Sequence, residues 1–148
     1  NLVVSRTFSK AYGLAGLRAG YAVSHESVAD VLNRIRQPFN MNSLSLKAAE
    51  VVLDDHAYLQ KAVELNAQGM QLLTEFCEES GLNYIPSYGN FLTIEVGPDA
   101  EKLYDELLHE GVIVRPVGGY ELPNHLRVSI GLPEENQAFI KAMKKLRG

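Results

Sequence analysis

Ser5-Arg6-Thr7-Phe8-Ser9-Lys10-Ala11-Tyr12-Gly13-Leu14-Ala15-Gly16-Leu17-Arg18-Ala19-Gly20-Tyr21 is the stretch from which the rest of the chain can be read. It sets the hydroxyls of Thr7 and Ser9 just before Lys10 and the guanidinium of Arg18 just after it. A lysine amine attacks a carbonyl only when unprotonated, and burial or a nearby cation moves it toward that state. Arg18 can supply the charge. Its planar fork of donors also matches a phosphate, to which Thr7 and Ser9 add hydroxyl donors. Gly13, Gly16 and Gly20 let the backbone turn sharply and come close to a ligand. A lysine in a polar loop is more often simply solvated, and glycines often serve turns alone, so spacing leaves both readings standing.

Outward from this loop the hydrophobic pattern sets the elements. Leu2 to Ser5 reads as a short buried strand, Thr7 to Gly16 as a glycine-punctuated loop, and Leu17 to Val23 as a second strand. The chain opens at Asn1 directly in an apolar run with no initiator methionine, which reads as a cut. A strand there, if central to a parallel sheet, would need neighbours on both sides. Ser24 is the expected N-cap of a helix carrying Val28, Val31, Leu32 and Ile35, with Pro38 just past its end. A helix from about Ser43 to Asp54 is expected to bury Leu46, Ala49 and Leu53, followed by a bend near His56. Ala57 to Ser80 reads as a long helix through Leu59, Val63, Asn66, Met70, Leu73 and Cys77, ended by Gly81.

Beyond it, Tyr84 to Pro86 and Phe91 to Val96 read as strands, and Asp99 opens a helix that Gly111 stops. Val112 to Val114 is expected to be a strand, Gly118-Gly119 a turn, and His125 to Ile130 an alternating strand. Pro133 starts a final helix with Phe139, Ile140, Met143 and Leu146 inward and basic residues at its negative end. The class is α/β, becoming α+β in the later part. A composition change places a domain boundary between residues 1–45 and 46–148.

The chain has 148 residues and 46% hydrophobic content. That suffices for one ordinary core, burying roughly two thirds of the unfolded surface. The single cysteine, Cys77, cannot form an internal bridge and reads as core, so a cytoplasmic location is the default. Net charge is −4, with 14 basic and 18 acidic residues interspersed, which argues against nucleic acid or an anionic membrane as partner. No apolar stretch reaches the roughly 20 residues of a membrane span, and a soluble protein is expected. His25, His56, His109 and His125 lack metal-ligand spacing, and no phosphate-loop or dinucleotide fingerprint occurs.

A phosphate anchored beside a reactive lysine fits pyridoxal 5'-phosphate, and Ser9 to Tyr21 resembles the Schiff-base signature of the fold-type I pyridoxal-phosphate aminotransferases, nearest to their histidinol-phosphate branch. The resemblance implies that Lys10 bonds the cofactor and that Thr7, Ser9 and Arg18 lie at its phosphate. Ser87-Tyr88-Gly89-Asn90-Phe91-Leu92 resembles the family's small-domain strand motif, and Gly111 to Pro116 with His125 to Gly131 resembles the segment bearing its substrate arginines. Alternation puts His125, Arg127 and Ser129 on one strand face, where a surface ion pair is the simplest reading of Arg127. With the family, Arg127 becomes a carboxylate clamp and Arg115 a candidate for a substrate phosphate.

The implied fold is the tail of the large-domain sheet followed by the C-terminal small domain. Over half of the usual chain is missing, and with it the glycine-rich phosphate loop, the ring that stacks on the cofactor, and the aspartate that keeps its pyridine nitrogen protonated. The implied activity is amino transfer from histidinol phosphate to 2-oxoglutarate, by a homodimer, in histidine biosynthesis. A threonine-phosphate decarboxylase or an aromatic aminotransferase of the same fold is the sibling reading. A folded module without activity, with exposed apolar surface that favours self-association, is the reading from another class.

Overall fold

The computed structural model describes residues 2–148. Their contacts form two compact units, one running to Val63 and one from Glu64 to Gly148. The first unit therefore reaches beyond the composition change near residue 45 and groups the next helix with the Lys10 loop.

In the first unit, strands β1 (Val3–Thr7) and β2 (Gly20–Ser24) pair antiparallel, with Val3 opposite Ser24 and Thr7 opposite Gly20. Both strands run about two residues later than the apolar pattern alone suggests. The ladder carries on past its formal end, where Phe8 N–H donates to Ala19 O at 3.1 Å. Gly20 is required there, since a Cβ would lie 2.8 Å from Arg6 O. Helix α1 (Glu26–Ile35) is capped by His25, whose Nδ1 accepts from Ser27 N–H at 3.3 Å. Ser24 is not the cap, because it remains paired with Val3 in the ladder. Val31, Leu32 and Ile35 follow helical spacing but are exposed within this unit.

Helix α2 (Ser43–Val52) starts at Asn42, whose Oδ1 accepts from Ser45 N–H at 2.8 Å. It buries Ser45 and Ala49, while Leu46 and Leu53 are 55% and 48% exposed, so the inward face is turned from the expected one. The reason is size: this face meets the small core of Phe8, Ala19 and Ala49, flanked by Tyr12, Leu14, Met41 and Val52, where small side chains fit.

Helix α3 (His56–Glu79) turns Gly69, Leu73, Phe76 and Cys77 into the second unit's core. Its end is a Schellman motif at Gly81: Leu82 N–H donates to Cys77 O at 2.8 Å and Gly81 N–H to Glu78 O at 3.3 Å. Strands β3 (Tyr84–Ile85), β4 (Phe91–Glu95), β5 (Arg115–Pro116) and β6 (His125–Ser129) form an antiparallel sheet in the order β3-β4-β6-β5. Leu92, Ile94, Leu126 and Val128 face helices α4 (Ala100–His109) and α5 (Pro133–Arg147) through one buried cluster that also holds Leu107, Phe139 and Met143.

The expected strand over Val112 to Val114 is not formed. The α4 terminus consumes that backbone, Val112 N–H donating to Leu107 O at 2.9 Å, and pairing begins only at Arg115. Helix α5 opens with Pro133 in its first turn, and Leu132 N–H donates to the Glu135 carboxylate at 2.7 Å. Leucine has no acceptor to complete a reciprocal capping box. Among the described residues no helix is long and apolar enough to cross a membrane.

Candidate functional site

The Lys10 loop is built by local hydrogen bonds between strands that are already paired. Ser9 N–H donates to Thr7 Oγ1 at 3.0 Å, Gly13 N–H to Lys10 O at 2.8 Å, and Leu14 N–H to Phe8 O at 2.9 Å. Gly13 has φ +71°, and the space where a Cβ would stand holds the hydroxyl of Tyr58. The tight turn after Lys10 thus depends on glycine twice, for its backbone and for this close approach. Of the other two glycines in the motif, Gly20 answers to the ladder and Gly16 has open space around it.

Arg18 ends the short 3-10 turn Ala15–Leu17 with φ 53° and ψ 39°, the left-handed region that L residues rarely occupy. Its Nη1 donates to Ala15 O at 2.9 Å and reaches Ser9 Oγ at 3.4 Å. Its other donors have no protein partner among the described residues. Strained non-glycine backbone persists where the surroundings over-determine it, often at ligand clamps. Thr7 at the end of β1, half-buried Ser9 and exposed Arg18 together offer two hydroxyls and a cation with free donors, a set that fits a phosphate monoester. Lys10 is exposed in the same loop, and its Nζ makes no ion pair or hydrogen bond among the described residues.

In the second unit, Arg115 and Arg127 stand opposite each other in the β5–β6 register. The Arg127 guanidinium lies over the Phe91 ring, 5.1 Å from its centroid, and its Nε is buried without a hydrogen-bond partner among the described residues. The register thus sets two cationic side chains at neighbouring strand positions, a pair whose donors suit an anion. Arg127 does not form the surface ion pair that is the simplest reading of its strand position; among the described residues no acidic side chain pairs with it. His125 lies on the same strand with Nδ1 buried and also unpartnered.

Three residues in these arrangements escape a reading of the sequence. Phe91 could have been placed on the right strand face by alternation, but only the register brings it to Arg127. Tyr58 and Ser45 carry no local signal, and each reaches the Lys10 loop from a helix far along the chain. Among the described residues no group of three His, Cys, Asp or Glu side chains is arranged to hold a metal ion.

A family model described as aminotransferase class I and II matches residues 1–143. A histidinol-phosphate aminotransferase of Idiomarina loihiensis is 99% identical over 148 residues, all of this chain and 40% of that protein. The crystal structure of histidinol-phosphate aminotransferase from Sinorhizobium meliloti, in complex with pyridoxal-5'-phosphate, superposes with a TM-score of 0.86 at 32% identity, over 99% of this chain and 42% of that one. L-threonine-O-3-phosphate decarboxylase from Porphyromonas gingivalis gives 0.83 at 25% identity, over 99% of this chain and 47% of that one. The chain thus spans less than half the length of each relative.

Proposed function

This chain belongs to the class I and II aminotransferases, and from that premise we propose that the full-length protein carrying it is a pyridoxal-phosphate-dependent histidinol-phosphate:2-oxoglutarate aminotransferase. The reading rests on one observation above the rest: Arg18, held in strained backbone, aims its guanidinium at Ser9 Oγ in the loop that carries Lys10. Ser9, Thr7 and Arg18 would hold the cofactor's phosphate, and Lys10 Nζ would condense with its aldehyde carbon, the carbonyl oxygen leaving as water. Pyridoxal phosphate supplies, when bound, a ring that draws electrons from the substrate carbon. As a free amine, Lys10 Nζ would be the base that takes the proton from the substrate Cα and, as the resulting ammonium, the acid that gives it to the carbon at the cofactor's former aldehyde position.

Arg127 grips the carboxylate of glutamate or 2-oxoglutarate through both arms of its fork. Histidinol phosphate has no carboxylate, and its phosphate meets the Arg115–Arg127 pair instead. The remaining cofactor contacts belong to parts of the protein outside this chain, and a homodimer in the cytoplasm is the expected setting. The exposed apolar residues of α1 and α2 are in keeping with burial against further protein.

The test uses the full-length protein. Borohydride reduction in the presence of pyridoxal phosphate should leave a covalent adduct on Lys10, and histidinol phosphate with 2-oxoglutarate should yield glutamate. Loss of carbon dioxide from threonine phosphate, or glutamate formed only from aromatic amino acids, would instead assign the protein to a sibling activity. An adduct on another lysine would sink the reading of the loop.

A further inference from the structure

Ser45 is 1% exposed, in the first turn of α2, where its own helix offers no carbonyl one turn back for the hydroxyl to bond. Here Oγ donates outward at 2.9 Å to Leu17 O, a carbonyl 28 residues away in the Lys10 loop. That carbonyl belongs to the peptide joining Leu17 to Arg18. The amide side of the same peptide is held only loosely, Arg18 N–H reaching Ala15 O at 3.4 Å. Ser45 therefore makes the shorter bond on the peptide that sets the direction of Arg18.

The anchor is itself fixed. Ser45 N–H donates to Asn42 Oδ1 at 2.8 Å, and Ala49, one turn on, packs in the same small core as Phe8 and Ala19. Phe8 and Ala19 immediately precede Ser9 and follow Arg18. One helix face thus holds both ends of the segment and the peptide plane within it. A left-handed arginine needs such support, because a relaxed peptide would turn back toward ordinary φ and carry the guanidinium away from Ser9.

We propose that Ser45 is a positioning residue for the phosphate end of the cofactor site, acting through the Leu17–Arg18 peptide and touching no ligand itself. The proposal rests on the reading of Arg18 as a phosphate ligand. Its test separates the two. The full-length apoprotein is titrated with pyridoxal phosphate and, separately, with pyridoxal, which keeps the aldehyde and lacks the phosphate. Wild type is compared with Ser45→Ala, Ser45→Cys, Arg18→Ala and the Ser45→Ala/Arg18→Ala pair.

Both Ser45 variants should weaken pyridoxal phosphate about tenfold, the effect of one hydrogen bond, and pyridoxal less than about twofold. Ser45→Ala should add almost nothing once Arg18 is gone. Equal weakening of both ligands, no weakening of either, or a full effect retained in the double variant would overturn the proposal. Ser45→Cys, nearly the same shape with a poor donor, carries the test if alanine prevents folding. If Arg18→Ala leaves the preference for the phosphate form intact, it is the reading of Arg18 that has failed, and the proposal falls with it.

Discussion

Replacing Arg18 by glycine and by alanine should separate what this residue does for the fold from what it does for the ligand. An L side chain at φ 53° and ψ 39° costs roughly 1–2 kcal/mol, a cost that alanine keeps and glycine removes. Glycine gives back roughly 0.5–1 kcal/mol of that through the larger entropy of its unfolded chain. Both variants lose the exposed bond from Nη1 to Ala15 O at 2.9 Å, worth about 0.5 kcal/mol. The contact to Ser9 Oγ at 3.4 Å is too long to contribute much. Arg18→Gly should therefore lie within about 1 kcal/mol of wild type, and Arg18→Ala should be the less stable of the two by up to about 1.5 kcal/mol. Both should lose about 1.5–3 kcal/mol of binding to the phosphate form of the cofactor, a weakening of roughly 10- to 150-fold. The assay is urea denaturation of the full-length apoprotein beside a spectrophotometric cofactor titration. Alanine more stable than glycine by about 0.5 kcal/mol or more would refute the left-handed strain, and cofactor affinities within threefold of wild type would refute the phosphate grip.

Gly13→Ala should destabilise by about 2 kcal/mol, because the left-handed backbone and the Tyr58 hydroxyl both oppose a methyl there; combining it with Tyr58→Phe should recover part of the loss, and full additivity of the two in denaturation would disprove the contact. Gly69→Ala should cost on the order of 1–3 kcal/mol despite alanine's better helix propensity, since a Cβ would stand 2.7 Å from Nδ2 of Asn136, which is locked to Gly131 by two hydrogen bonds; an unchanged or raised melting temperature would count against this packing. Cys77 is fully buried, and that burial, with a smaller contribution from the Glu78 charge, pushes its thiol up to about 11 from an ordinary 9.0. Between those values the folded chain holds a proton that the unfolded chain has released, so stability is unaffected below pH 9 and falls as pH rises toward 11. A Cys77→Ala variant should show a shallower decline over that range, and an identical slope would refute the assignment. Phe91→Leu, which keeps the apolar bulk and removes the ring face beneath Arg127, should raise the KM for anionic substrates about threefold in steady-state assays of the full-length enzyme, the loss of a cation–π contact of about 0.5–1 kcal/mol; an unchanged KM would show that the ring does not hold the guanidinium.

Much of the chain was legible because much of its folding is local. Gly81 and Gly111 stop their helices through backbone bonds that span five residues, so a glycine after a helical pattern is a sufficient signal. The 3.6-residue period located α3 and α5, and strict alternation located β4 and β6. The Lys10 motif, too, is contiguous: its residue types are compatible with carbonyl and phosphate chemistry, and its likeness to a family signature, rather than its spacing, set that reading above a solvated lysine.

Tertiary structure decided what depends on partners far along the chain. The inward face of α2 follows the small core it meets rather than its own largest side chains, so Ser45 is buried while Leu46 is not. The strand expected at Val112 to Val114 yielded to the closure of α4, a competition for the same backbone donors that propensity does not weigh. Arg115 and Arg127 face each other, and Phe91 lies under one of them, only because strands from different parts of the chain settle into one register. The left-handed turn of Arg18 likewise is held from a helix 28 residues beyond Leu17. Local sequence sets which conformations are cheap for each short segment; which of them is occupied, and where each side chain then points, is set by the burial and hydrogen bonds that distant segments supply.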